Sequence, residues 1–216
     1  MQQRAAGHLV NKAWSGLARS ALKIVANVVV VLAFGLLAYS CYLRYRATGS
    51  FNWLGLLAVN ALFVCMYAVR RDAKEISTSP SAWMLAFAAC MTPLVIRPTD
   101  PGSLSIIGNA VQAVGIMLIV AGLLSLRRSF GIVPANRGIR QGGLYRLIRH
   151  PLYFSELLSV VGFVIANPSA RNALLWMALV VLQLLRARAE ERLLSADPEY
   201  REYAARVRHR LIPGLL

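Results

Sequence analysis

The chain has 216 residues, of which 57% are hydrophobic and 15% are charged, and its formal net charge is +15. Soluble domains carry roughly 25% charged residues, so this composition, with a mean hydropathy of +0.54, excludes an ordinary soluble domain. The excess of Lys and Arg lies beside hydrophobic blocks rather than in one patch, which argues against nucleic acid as a partner.

Six apolar segments follow one another along the chain, at residues 24–43, 51–69, 81–96, 104–126, 152–166 and 172–185. A helix that crosses a bilayer needs about 20 residues, so the first, second and fourth segments qualify and the third is marginal. The last two are short and are separated only by a polar break containing Pro168, which predicts a tight helical hairpin. The predicted fold is an all-α polytopic membrane bundle of about six hydrophobic helices.

The basic residues divide unevenly between the two sides that six crossings would create. Of the 24 lysines and arginines, 20 fall on one side, and this side also holds both termini and the loop after the fourth segment. Cytoplasmic loops of membrane proteins carry an excess of Lys and Arg, so both termini are predicted to be cytoplasmic. A bacterial inner membrane or its equivalent fits this topology.

The residues with chemical potential lie mainly in the second of two predicted regions. Residues 1–126 form four membrane helices, whereas residues 127–216 hold the sequence GLYRLIRHPLY at 143–153. There Pro151 suits the first turn of a helix, whose free N–H groups attract anions, and His150 lies beside that turn. Arginines that face lipid phosphates and tyrosines of an interfacial belt are an alternative explanation.

Two further groups of polar residues lie near this loop in the predicted topology. Glu156 follows one turn into an apolar segment, where a carboxylate either lines a cavity or reaches the interface. The sixth segment runs into RARAEERLL at 186–194, in which Arg186 and Glu190, and Arg188 and Glu191, have helical spacing. These charges are either a solvated helix end or a cluster that faces His150.

The tail contains a predicted amphipathic helix. Asp197 has the chemistry of an N-cap, and Pro198 suits the first helical position. Tyr200, Tyr203 and Val207 then fall on one face. The helix is expected to lie on the membrane or on the protein, or to cover a site.

Taken in order, the segments GLYRLIRHPLYFSELL, ANPSARN, RARAEERLL and EYREYAARVRHRLIP resemble the isoprenylcysteine carboxyl methyltransferase and phospholipid methyltransferase family over roughly residues 120–213. The resemblance implies an integral membrane enzyme that uses S-adenosylmethionine and a lipid-like, prenylcysteine-like or other hydrophobic small-molecule acceptor, amid membrane lipids. It implies Arg188 and Glu191 as catalytic residues at the acceptor. Glu156 is assigned to the substrate cavity because of its position within an apolar segment. The residues that it implies for cofactor binding are Tyr145, Arg149, His150, Pro151, Leu152, Tyr153, Glu190, Tyr200 and Tyr203.

The acceptor group is left open between a carboxylate, an amine and a thiol. An NADPH-dependent membrane sterol or enone reductase is an alternative, because such enzymes carry a similar His-Pro-x-Tyr loop. A non-catalytic membrane scaffold is a third hypothesis. Binding of S-adenosylmethionine, NADPH or neither would separate the three.

Overall fold

The computed structural model describes residues 27–49, 51–99 and 103–212, which form seven α-helices and one small β-ladder. The predicted start of the first segment, at 24–26, lies outside the described residues. The helices are α1 (Asn27–Thr48), α2 (Phe51–Ala68), α3 (Pro80–Val95), α4 (Ser105–Leu126), α5 (Pro151–Ala166), α6 (Ala170–Leu194) and α7 (Pro198–Arg206). Short 3-10 helices occupy Arg127–Ser129 and Gly143–Arg146, and the strands are β1 (Glu75–Ile76) and β2 (Ala135–Asn136).

Four of the described helices, α1, α2, α4 and α6, are long and apolar enough to cross a membrane. The prediction of a polytopic helical membrane protein is confirmed at this level. Helices α3 and α5 have 16 residues each. At 1.5 Å per residue such a helix spans about 24 Å, less than the roughly 30 Å hydrocarbon core. The six crossings therefore stay a prediction.

The sixth helix is longer than its apolar segment, and only residues 167–169 connect it to α5, which fits the predicted tight hairpin. Helix α6 begins after Ser169, whose hydroxyl accepts from the Asn172 N–H, and continues to Leu194. Hydropathy falls at Arg186, but the backbone stays helical because the charged residues are good helix formers. Helix α5 packs mainly along α4, and α6 packs more on α3 than on α5.

Small residues bring α4 and α5 into backbone contact. Gly108 and Gly115 of α4 lie so close to Ala166 and Ser159 of α5 that an added Cβ would overlap their backbones. Gly162 of α5 approaches α4 in the same way. Such close approach is a common basis of helix association in membranes, where apolar burial gives little driving force. This close contact fixes the position of α5 against α4.

The β-ladder fixes the loop that follows α4. Glu75 pairs with Asn136 and Ile76 with Ala135, and the Lys74 N–H donates to the Asn136 carbonyl at 2.8 Å. Below this loop, Phe130 and Ile132 join a buried cluster with residues of α1, α2 and α4. Residues 127–136 therefore share a hydrophobic core with the preceding helices and close one end of the bundle.

Candidate functional site at the end of α5 and α6

The His150–Pro151 step fixes the first side chains of the site. His150 is the N-cap of α5, and Pro151 is its first residue, as predicted. Proline suits this position because it lacks a backbone N–H, and the first N–H groups of a helix have no partner within the helix. The chain after α7 returns to this point. The backbone N–H of Arg149 donates to the His209 carbonyl and that of His150 to the Arg210 carbonyl, both at 2.9 Å. The tail therefore holds Arg149 and His150 in place.

Glu191 is the centre of a buried charged cluster. Its Oε1 lies 3.0 Å from Arg149 Nη1 and 3.2 Å from His150 Nε2, and its Oε2 lies 3.0 Å from Arg210 Nε. The Glu191 side chain is 10% exposed, so removal of these partners would leave an uncompensated buried charge. The cluster ties α6, the start of α5 and the tail together.

Glu190 makes the neighbouring contact, to Tyr153. The Tyr153 hydroxyl donates to Glu190 Oε2 at 2.7 Å, and His150 Nδ1 lies 3.8 Å from the same oxygen. The His150 and Tyr153 rings stack at 5.2 Å with an angle of 3°. Glu190 is 29% exposed, so its carboxylate remains accessible from the aqueous end of the bundle. The sequence prediction brought these residues together correctly.

Three tyrosines cover the cluster, Tyr145 from the loop before α5 and Tyr200 and Tyr203 from α7. Tyr145, Tyr200 and Tyr203 are buried against one another, and the Tyr203 hydroxyl donates to the Tyr145 carbonyl at 2.8 Å. Burial raises the pKa of all three phenols, and the Glu190 charge adds to the rise for Tyr145, so they stay neutral. Helix α7 thus lies on the protein, and its N-cap at Asp197 is as predicted.

A membrane cavity of about 220 Å³ begins directly below this cluster. Helices α1 to α6 all contribute to its wall, which is mainly apolar, and the loop at Gly131 and Ile132 closes one end. Leu152 and Tyr153 line it at the site end. Its polar side chains are Ser40, Arg44, Asn60, Glu156, Ser159 and Arg186.

Arg186, Gln183 and Glu156 form a buried hydrogen-bonded chain in this cavity wall. Arg186 Nη1 donates to Gln183 Oε1 at 3.1 Å, and Gln183 Nε2 donates to Glu156 Oε2 at 2.5 Å. Arg186 Nη2 donates to the Ile132 carbonyl at 3.0 Å, and the guanidinium lies 4.7 Å from the centre of the Tyr153 ring. Tyr153 therefore contacts both the charged cluster and the cavity network.

The structure brings together Arg149, His150, Tyr153, Glu190 and Glu191, and it places Glu156 in the cavity as predicted. It does not bring Arg188 there. Arg188 is exposed and does not line the cavity, whereas Arg186 is 5% exposed and does. Gln183, Arg210 and the role of Arg186 were not predicted from the sequence. Arg186 and Gln183 had a signal, since residues 183, 186 and 190 have helical spacing on one face, but nothing local indicated that Arg210 returns to Glu191.

Two buried polar atoms of the cluster, Arg149 Nε and the Tyr200 hydroxyl oxygen, make no hydrogen bond of good geometry among the described residues, although the nearby Arg149 charge offsets part of the rise in the Tyr200 pKa. Unpaired buried polar atoms are rare, and each one is a reason to consider a ligand or water. Within the described residues, no group of three His, Cys, Asp or Glu side chains could hold a metal ion.

These features define a class: a polytopic helical membrane protein in which a charged cluster at one end adjoins an apolar cavity within the bundle. The chain belongs to the family described as a protein of unknown function, DUF1295, whose model matches residues 81–207. The match covers more than half of the chain and includes α3 to α7. Among curated proteins, none matches it.

Proposed function

We propose that the protein is an S-adenosylmethionine-dependent methyltransferase that acts on a hydrophobic acceptor held in the membrane cavity. The observation that supports this most strongly is the position of Tyr153. Its hydroxyl binds Glu190 in the charged cluster, and its ring lines the apolar cavity against Arg186. A water-soluble cofactor and a lipid-like acceptor would meet at this residue.

The residues of the charged cluster fit such a cofactor. S-adenosylmethionine carries a cationic sulfonium, an amino acid group and ribose hydroxyls. Glu190 offers a partly exposed carboxylate that would bind the cationic groups of the cofactor. The unpaired Arg149 Nε and Tyr200 hydroxyl would supply hydrogen bonds to polar groups of the cofactor. When bound, the cofactor supplies an activated methyl group.

The protein itself would orient the cofactor and the acceptor and would exclude water from the site. The tail pairs with residues 149 and 150, and Tyr145, Tyr200 and Tyr203 cover the cluster. Alignment of two reactants in a closed site accounts for much of the rate gain in transfer reactions. Arg186, rather than Arg188, is now the arginine that would face the acceptor.

Calorimetry on purified protein in nanodiscs tests the proposal, with S-adenosylhomocysteine and NADPH as ligands. We expect saturable binding of S-adenosylhomocysteine. The Glu190→Gln variant should bind it about tenfold more weakly, because the ligand loses a charge-assisted hydrogen bond to the Glu190 carboxylate. Glu202→Gln is the matched control, since Glu202 is exposed on α7, and it should bind as the wild type does. Binding of NADPH alone would favour the reductase, and binding of neither by folded protein would favour the scaffold.

A further inference from the structure

Glu156 is a partly buried acidic group for which the proposed cofactor site has no use. It lies one turn after Tyr153 on α5 and lines the membrane cavity. A carboxylate within a membrane helix is costly and is usually associated with function. Glu156 is therefore expected to interact with the molecule that occupies the cavity.

Gln183 holds the Glu156 carboxylate in one orientation. The Gln183 side chain is fully buried, accepts from Arg186 Nη1 and donates to Glu156 Oε2 at 2.5 Å. Within the described residues, Glu156 Oε1 makes no hydrogen bond, so it remains available to an occupant of the cavity. The network therefore presents one fixed acceptor oxygen.

Arg186 supplies the counter-charge that holds this arrangement. Its Nη1 and Nη2 donate to Gln183 and to the Ile132 carbonyl, and its face contacts Tyr153. The cavity thus has an unused acceptor oxygen at Glu156.

A group that donates a hydrogen bond satisfies this acceptor oxygen. Hydroxyls, thiols and amines do so, whereas an ionised carboxylate only accepts and has no proton to give to Glu156. We propose that Glu156 accepts the proton of the methyl acceptor, which is a hydrophobic molecule with an O–H, S–H or N–H group. This inference rests on the proposed methyltransferase function and narrows its substrate class.

The transfer step balances with Glu156 as the proton acceptor. The lone pair of the acceptor atom forms the new bond to the methyl carbon as the C–S bond of the cofactor breaks, with its electron pair left on sulfur. The proton of the acceptor atom passes to the Glu156 carboxylate, which returns it to water after turnover. A carboxylate acceptor would need no such base.

Two matched probes test what the cavity prefers, because 4-octylphenol and 4-octylbenzoate share a ring and a chain but differ in the polar group. Binding is measured as the retention of each radiolabelled probe by nanodiscs that contain the protein, with empty nanodiscs as the partition control. We expect the wild type to bind the phenol about tenfold more tightly, the effect of one charge-assisted hydrogen bond. Glu156→Gln should abolish this preference, and Glu202→Gln should keep it.

A wild type that prefers the benzoate, binds neither probe, or keeps its preference in Glu156→Gln would overturn the inference. S-adenosylhomocysteine binding in the same samples separates the two proposals. If it persists while the probe preference fails, only the role of Glu156 is wrong, and if the wild type does not bind it, the methyltransferase proposal itself fails.

The bond formed in the product gives a second readout that needs no variant. Membranes that contain the protein are incubated with methyl-labelled S-adenosylmethionine, and the organic extract is treated with alkali. Methyl esters release methanol, whereas methyl ethers, thioethers and amines are stable. We expect the label to stay in the extract, and release of most of it as methanol would overturn the inference.

Discussion

Arg186 and Arg188 lie two residues apart on α6 in different surroundings. Arg186 is buried and bonded to Gln183 and Ile132, whereas Arg188 is exposed. We expect Arg186→Met to destabilise the protein by about 3 kcal/mol, because the Gln183 and Glu156 network loses its counter-charge. Arg188→Met should change the melting temperature and S-adenosylhomocysteine affinity little, as surface substitutions do. Equal effects of the two variants in thermal unfolding would contradict this assignment.

At the residue scale the sequence predicted the charged cluster but not the cavity network. The predicted topology put His150, Glu190 and Glu191 on one side of the membrane but left a solvated helix end as an alternative. The family resemblance implied that these residues and Tyr153 share one site. The choice between Arg186 and Arg188 depends on the rotation of α6 against α3 and α5. That rotation is a matter of tertiary packing, which a nearly uniform apolar sequence does not specify.

Asp197 couples the tail to the loop after α4. Hydrogen bonds from the Asn136 side chain and from the Glu199 N–H hold the pKa of the Asp197 carboxyl below its usual 3.8. The stabilisation is complete above the unfolded-state pKa and is lost as pH falls through the folded-state pKa. We expect α7 to lose hydrogen-exchange protection below about pH 4, after correction for intrinsic rates.

The Asp197→Asn variant should show weakened α7 protection at neutral pH and little further change on acidification. Asp72→Asn is the control, since Asp72 is exposed and lies outside this contact. A wild-type α7 whose protection does not change between pH 6 and pH 3 would contradict the coupling.

At the element scale, the close contact of α4 and α5 makes a second prediction. Gly115→Leu would place a side chain in the backbone of Ser159, so we expect loss of the monodisperse folded protein in detergent. Ala110→Leu on the exposed face of α4 adds the same bulk towards lipid and should fold normally. A Gly115→Leu protein with the wild-type melting temperature would show that the helices do not approach this closely.

The sequence predicted which helices exist, but it predicted only some of the residues at which they begin and end. Long apolar runs predicted α1, α2 and α4, and Pro151, Asp197 and Pro198 predicted the starts of α5 and α7. The apolar segment ends at residue 185 because hydropathy records the membrane boundary, whereas the helical spacing of Arg186, Glu190 and Glu191 indicated that the helix continues. The β1–β2 ladder joins residues about 60 apart through backbone groups, and no side-chain pattern marks such a pairing.

At the scale of the whole molecule, the uneven charge distribution predicts which end faces the cytoplasm. A Thr48→Cys variant should react with an impermeant maleimide in intact cells, whereas Arg146→Cys should react only after permeabilisation. Cys41, Cys65 and Cys90 are replaced by alanine in both. Labelling of Arg146→Cys in intact cells would contradict the predicted topology and the approach of the cofactor from the cytoplasm.

The most direct measurement of the central claim is transfer of a labelled methyl group from S-adenosylmethionine into the organic extract of membranes that contain the protein. The proposed function predicts label well above that in membranes with the Glu190→Gln variant at equal protein level, and wild-type label in Glu202→Gln membranes. Equal label in wild-type, Glu190→Gln and protein-free membranes would contradict methyl transfer by this protein.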